Sequence, residues 1–367
     1  MRLDRALVAG FALAFTPGFN AANVGAVADT ASKQYGVGLG VIGLFTTALF
    51  LSHAAMQVPM GRLCDRLGSR VVGASGLAVV AVASAAALSW REAWFAIAMR
   101  LVAGFGTAAS FVGGSDYVRA TSGSPVAQGL YGAVSMAGGG LAVGLLPLWA
   151  SWRTPFVAAA VVAAIGAVVV LFAPREARPE RAPQRTTVRD RRLLPLGAWH
   201  AASFGLSVVL GNWTVTLLHR AGGVSEATAG LAGGLILFLG VISRPAGGRL
   251  IDRPALVRAS FVAAASGTVL LAAATPFALA LVGAVVVGLA AGIPFAPSFS
   301  GAARMRPDAP GAAVGFVNMI AAVTILVGTP LLGLTFSLPG NGRIGFAAVA
   351  ALCLLTALVR PTRRAAV

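Results

Sequence analysis

Gly61-Arg62-Leu63-Cys64-Asp65-Arg66 closes one long apolar segment, and Gly248-Arg249-Leu250-Ile251-Asp252-Arg253 closes another. The two stretches differ at a single position. In a chain of 367 residues they fall at matched places in two halves of similar length. Gly132, Met136 and Pro147 return as Gly315, Met319 and Pro330 with one constant offset, again in matching segments. Tandem halves in an apolar chain are how secondary transporters are built, with the solute held between the repeats near the bilayer midplane.

Composition agrees. Apolar residues make up 57% of the chain and charged residues 11%, against roughly 25% charge in an ordinary soluble domain. Twelve apolar stretches approach the roughly 20 residues a spanning helix needs. They run over 6–28, 39–62, 70–90, 93–117, 126–150, 153–173, 196–219, 228–251, 257–277, 279–301, 311–335 and 343–360. The apolar run that follows Met1-Arg2-Leu3-Asp4-Arg5 is too long for a cleaved signal peptide and reads as a retained first helix.

With both termini in the cytosol, inner loops and tails hold 21 of the 28 Lys and Arg residues. The outer loops hold Lys33, Arg91, Arg153, Arg220 and Arg343; Arg100 and Arg244 remain, and both lie inside spans. That bias follows the positive-inside rule and places the chain in a cytoplasmic membrane. The net charge of +17 is then a topology signal and not a nucleic-acid surface. Cys64 and Cys353 sit in different halves, so no disulfide framework is expected.

Pro174 to Pro195 cannot enter a membrane: it holds seven Arg, two Glu, one Asp and four Pro. It reads as a cytosolic linker. The expected organisation is all-α: an N-terminal six-helix bundle over 1–173, a linker over 174–195, and a pseudo-symmetric C-terminal bundle over 196–367. Gly129-Leu-Tyr-Gly-Ala-Val-Ser-Met-Ala-Gly-Gly-Gly140 is the densest of the glycine-rich spans, suited to close helix approach.

Gly61 to Arg70 resembles the loop between spans two and three of the major facilitator superfamily, and Arg100-Leu-Val-Ala-Gly104-Phe-Gly106 is similar to that superfamily's fourth-span pattern. The resemblance implies a twelve-helix fold working by alternating access, with the Asp65 turn closing the inner gate. Within the superfamily, Gln57-Val-Pro59-Met-Gly61, Arg244-Pro245-Ala-Gly-Gly248 and the glycine-rich fifth span most resemble the nitrate/nitrite porter branch and its small-anion relatives. In that branch an Arg in span two and another in span eight hold the anion. Arg244 fills the second position; Gln57 stands at the first.

The repeat supports this pairing by itself, since Gln57 lies four residues before Gly61 and Arg244 four before Gly248. An Arg inside a span costs at least about 2.5–3.5 kcal/mol and so faces a cavity or a partner. No acid sits mid-span to pair with it. His53 lies one turn before Gln57 on the same face. Asn20, Asn23 and Asn212 are polar at mid-span and serve either a polar pocket or helix–helix contacts. Tyr131 and Asn318 complete the substrate-binding candidates. Arg100 reads as a coupling residue or a structural anchor.

The gating candidates are Gly61, Asp65, Arg66, Arg70, Gly248, Asp252 and Arg253. The carboxylates are expected in short turns where they cap neighbouring helices.

The three histidines lack metal-ligand spacing and no phosphate-binding glycine loop ends in Lys-Ser or Lys-Thr. Neither an enzyme nor a cofactor is expected. The reading is a monomeric carrier of a small solute, an inorganic or organic anion, with a proton as candidate coupling ion. The alternative is proton-coupled efflux of a drug-like or secreted compound, though exporters of cations usually need an acid within the membrane. A receptor that kept the carrier fold is a third class; no extra cytosolic domain is present to relay a signal.

Overall fold

A computed structural model describes residues 4–122, 125–176, 190–306 and 310–361. Among these every regular element is helical. Eleven helices are long and apolar enough to cross a membrane: α1 (Arg5–Tyr35), α2 (Leu39–Gln57), α3 (Ser69–Ala86), α4 (Ala93–Ser122), α5 (Gly129–Trp149), α6 (Thr154–Leu171), α7 (Arg191–Gly222), α8 (Glu226–Gly248), α9 (Pro254–Ala273), α10 (Phe277–Ala302) and α11 (Ala313–Ser337). A further apolar helix, α12 (Arg343–Leu358), has 16 residues, about 24 Å of helix. Large apolar side chains such as Val82, Phe172 and Leu358 point outward and are about 70% exposed or more. Such an outer surface suits lipid, in which the helical backbone satisfies its own polar groups.

Three boundaries differ from the sequence expectation, each for a local reason. The first helix runs past residue 28 to Tyr35, through a 3-10 turn at Gly25–Val27. Its polar last turns find partners, and Gly36 at φ +69° ends it. The first copy of the repeated hexapeptide is not a turn. The helix containing α2 continues from Leu39 to Leu67 and stops at Gly68, φ +93°. The second copy does unwind after Gly248, and Arg253, the residue before Pro254, is held out of the helical region at φ −117°. Finally, the end of the linker is already ordered. Asp190 caps a 3-10 turn at Arg191–Leu193, which leads straight into α7. Residues 177–189 of the linker lie outside the described residues.

Helix α1 packs on α4, α5 and α6, α2 and α3 pack against α4, and α3 also packs on α6. In the second half α9 packs on α10 and α12, and α7 on α8 and α11. Between these sets α2 meets α11, α5 meets α8 and α1 meets α7. Small residues make the close crossings. A Cβ on Gly234 of α8 would lie 2.9 Å from the Gly140 carbonyl oxygen of α5, and one on Gly43 of α2 would lie 2.6 Å from Pro330 Cα of α11. The glycine-rich fifth span is therefore used mainly for packing: Gly138 backs onto Phe15 and Phe19, and Gly140 onto Phe238.

Alternating helix directions give the molecule two ends. Residues 57–70, 171–176, 190–193 and 248–254 lie at one, called here the linker end. Tyr35, Trp149, Gly222 and Glu226 lie at the other, the far end.

Candidate functional site

A cavity of about 480 Å³ lies between the two sets of helices and reaches toward the linker end, where Asp116, Arg119, Gly129 and Val314 line it. Four candidate side chains named from sequence line it: Gln57, Tyr131, Arg244 and Asn318. Arg244 comes from the last helical piece of α8, which is broken at Leu239. It is 6% exposed. Nη1 donates to the Gly132 carbonyl at 3.0 Å, and the guanidinium lies over the Phe295 ring at 4.0 Å and the Phe204 ring at 5.6 Å. Its buried Nε has no partner. No carboxylate among the described residues forms an ion pair with it.

The two ring contacts contribute about 0.5–2 kcal/mol each, less than the several kcal/mol needed to strip water from a cation. Arg244 is thus a buried cation with donor capacity left over.

Gln57 stands across the cavity lining from Arg244, and behind it runs a buried relay. Thr107 donates to the Gly104 carbonyl, so its oxygen accepts from His53 Nδ1 at 3.0 Å. His53 Nε2 is then an acceptor, 2.8 Å from the amide nitrogen of Gln57. This assigns a neutral His53 whose task is to orient Gln57. Tyr131 donates its hydroxyl to the Phe111 carbonyl at 2.7 Å, which leaves its ring as the cavity surface.

The remaining candidates are engaged elsewhere. Arg100, 2% exposed, donates to Asn20 Oδ1, the Asn20 carbonyl and the Phe45 carbonyl at 3.0, 2.6 and 3.3 Å. It ties α4 to α1 and α2. Asn20 is its partner and not a cavity residue. Asn23 donates to the Pro155 carbonyl. Asn212 donates to the carbonyls of Ala21 and Val208 and accepts from Thr46. These amides join helices near the far end and lie outside the cavity lining.

Sequence reasoning passed over the aromatic wall. His200, Phe204, Phe295 and Phe299 all line the cavity. His200 is buried, with Nε2 3.2 Å from Asn318 Oδ1 and Nδ1 without a partner. Its ring stacks on Phe204 and meets Phe299 at 4.6 Å, and Phe299 meets Phe295 at 4.6 Å. Two local irregularities place these rings. A π-helical turn at Ala201–Gly205 rotates α7 beside the cavity, a distortion frequent at functional sites. A break after Gly292, at Pro294, restarts α10 at Phe295. The signal available beforehand was Pro294 inside an apolar span, followed by two Phe at helical spacing.

At the linker end the gating candidates are apart. Arg66 and Arg253 are exposed. Asp252 is 95% exposed, 4.0 Å from Arg304. Arg70 is tied within the first half, its backbone N–H to Glu176 and Nη1 to the Ala173 carbonyl at 2.6 Å. Asp65 lies in the helix ending at Leu67, and its side chain lies outside the described residues. A Cβ on Gly61 or Gly248 would find nothing closer than 3.8 Å, so neither glycine is required for packing in this conformation.

The far end is instead bridged by polar contacts between helices. Asp29, 1% exposed, pairs with Lys33 on its own helix at 2.7 Å and with Arg220 of α7. Beside it Thr30 donates to Glu226 of α8 at 2.6 Å. His219 Nε2 is 3.7 Å from Asp29. Asp29, His219 and Glu226 thus bring ligand-type atoms within 4.8 Å of one another, a proximity that sequence spacing did not reveal. With Lys33 and Arg220 already on Asp29, the cluster reads as an ion-pair network.

Residues 10–329 match the family described as the Major Facilitator Superfamily. No curated protein matches the chain. The fold is similar to the crystal structure of the nucleoside transporter NupG, determined as a point mutant, with a TM-score of 0.74. That likeness covers 96% of this chain and 98% of the other at 14% sequence identity, and so concerns the fold alone.

Proposed function

Because the chain belongs to the major facilitator superfamily, we propose that it is a secondary carrier whose solute is an anion held by Arg244. The observation that carries this is the electrostatics of the cavity. One buried guanidinium with an unpartnered Nε faces it, and Arg119 at its mouth is paired with Asp116. A carboxylate or an inorganic oxyanion supplies the missing charge, and charge-assisted hydrogen bonds to it contribute about 1.5–3 kcal/mol each. Gln57 meets the neutral part of the solute.

In this reading α1–α6 and α7–α12 are two pseudo-symmetric bundles of six spans, and the described state is open at the linker end. The Lys/Arg bias assigns that end, and both termini, to the cytosol. The transport cycle closes the cytosolic end by bringing the Gly61–Arg70 and Gly248–Arg253 segments together. It opens the far end by breaking the Asp29–Arg220 pair. A proton is the candidate coupling ion.

Export of a drug-like compound is the second reading, favoured by the half-buried Phe rings of the cavity. A thermal-shift screen of the purified protein against nitrate, acetate, benzoate, uridine and tetraphenylphosphonium separates the two. Stabilisation by one or more anions that disappears in Arg244→Gln supports the anion carrier. Stabilisation by tetraphenylphosphonium alone supports the exporter.

A further inference from the structure

We propose that the cavity takes an aromatic monocarboxylate, its carboxylate on Arg244 and its ring among Phe204, Phe295 and Phe299; this rests on the anion reading above and narrows it.

Size comes first. A cavity of about 480 Å³ falls in the range of sites for drug-sized ligands. A nitrate or acetate would leave most of it filled with water against apolar walls.

The walls come second. Phe204, Phe295 and Phe299 are half-buried, so part of each ring is turned to the open space. With His200 they form a connected series: His200 to Phe299 at 4.6 Å and Phe299 to Phe295 at 4.6 Å, the latter inclined at 44°. Such edges and faces favour a further ring in an offset or tilted arrangement.

Charge comes third. Arg244, 6% exposed and lacking a partner at Nε, is one positive charge. Its repeat mate Gln57 is neutral and Arg119 at the mouth is already paired with Asp116, so a second carboxylate on the solute would find no uncommitted cation beside Arg244. One negative charge on a planar apolar body is the complement of this lining.

Equilibrium binding to the purified full chain tests the proposal with five probes: benzoate, cyclohexanecarboxylate, acetate, nitrate and benzamide. Benzoate is expected to bind at least tenfold tighter than acetate or nitrate, because burying the ring removes apolar surface from water. It should also bind several-fold tighter than cyclohexanecarboxylate and at least tenfold tighter than benzamide. Phe299→Leu, which touches rings but not the guanidinium, should weaken benzoate several-fold and leave acetate unchanged.

Acetate or nitrate binding as tightly as benzoate overturns the aromatic inference and leaves the anion reading standing. Equal binding of cyclohexanecarboxylate reduces the site to an apolar one and also overturns it. Benzamide binding as well as benzoate, with no loss in Arg244→Gln, overturns the anion reading itself. Failure of benzoate to bind folded parent protein at millimolar concentration sinks the proposal outright. If Phe299→Leu does not fold, the probe series on the parent still decides.

Discussion

Replacing Asp29 by Asn should open the far end. Asp29 is 1% exposed and holds two cations, Lys33 and Arg220, but only one of these pairs bears on the conformational equilibrium. Lys33 is one turn away on the same helix, so its pair survives when the ends separate. The Arg220 pair joins α1 to α7 and must break. Truncating a buried pair costs about 3–5 kcal/mol, whereas exposed pairs contribute about 0–1 kcal/mol. With Arg220 31% exposed, about 1.5–3 kcal/mol is the working figure. At about 1.4 kcal/mol per decade, the far-open population should rise roughly 10- to 100-fold.

The assay is labelling by a bulky polar maleimide of a cysteine placed at Thr46. That residue is 2% exposed and packed on Asn212 beneath these contacts. The labelling rate should rise with the open population in Asp29→Asn and in Arg220→Gln, and the double variant should add little to either single one. Unchanged rates in both single variants would show that the pair does not hold the far end closed, and additive effects would show that the two residues act separately.

Arg100→Leu should cost about 3–5 kcal/mol, because it strands the buried Asn20 amide and two carbonyls that Arg100 serves; a large fall in melting temperature checks this, and retained stability would point to a coupling role instead. Gly248→Ala should leave the melting temperature unchanged, since a Cβ there meets nothing closer than 4.0 Å, yet slow solute exchange in proteoliposomes by hindering closure at the linker end; exchange at the parent rate would remove Gly248 from the gate. Gly234→Val should destabilise by 1–3 kcal/mol or more, because even its Cβ would crowd the Gly140 carbonyl oxygen; a parent-like melting curve would contradict that crossing.

The repeat made much of this legible. Two copies of one hexapeptide set Gln57 and Arg244 at equivalent places, and both line the cavity. The rarity of charge inside spans singled out Arg244 and Arg100, but sequence alone left open what each met. One meets a cavity and the other a cage of carbonyls. The midspan asparagines were ambiguous for the same reason, since an amide satisfies a backbone carbonyl as readily as a solute. The aromatic wall was hidden because Phe in an apolar helix follows no pattern that separates lipid from cavity. Its direction is fixed by the π-helical turn at Ala201–Gly205 and the break at Pro294. The Asp29–Arg220 pair joins residues far apart in sequence, near the ends of α1 and α7, and only packing brings them together.

Whether Arg244 holds the solute decides the account. The direct measurement is calorimetric titration of the anion that most stabilises the parent into parent, Arg244→Lys and Arg244→Gln proteins, each first shown to be folded and monodisperse. Loss of about 1.5–3 kcal/mol, roughly 10- to 150-fold in Kd, is predicted for Arg244→Gln. Arg244→Lys should fall between, keeping the charge but losing the planar fork. Binding by Arg244→Gln as tight as by the parent would contradict the account and leave Arg244 a structural charge.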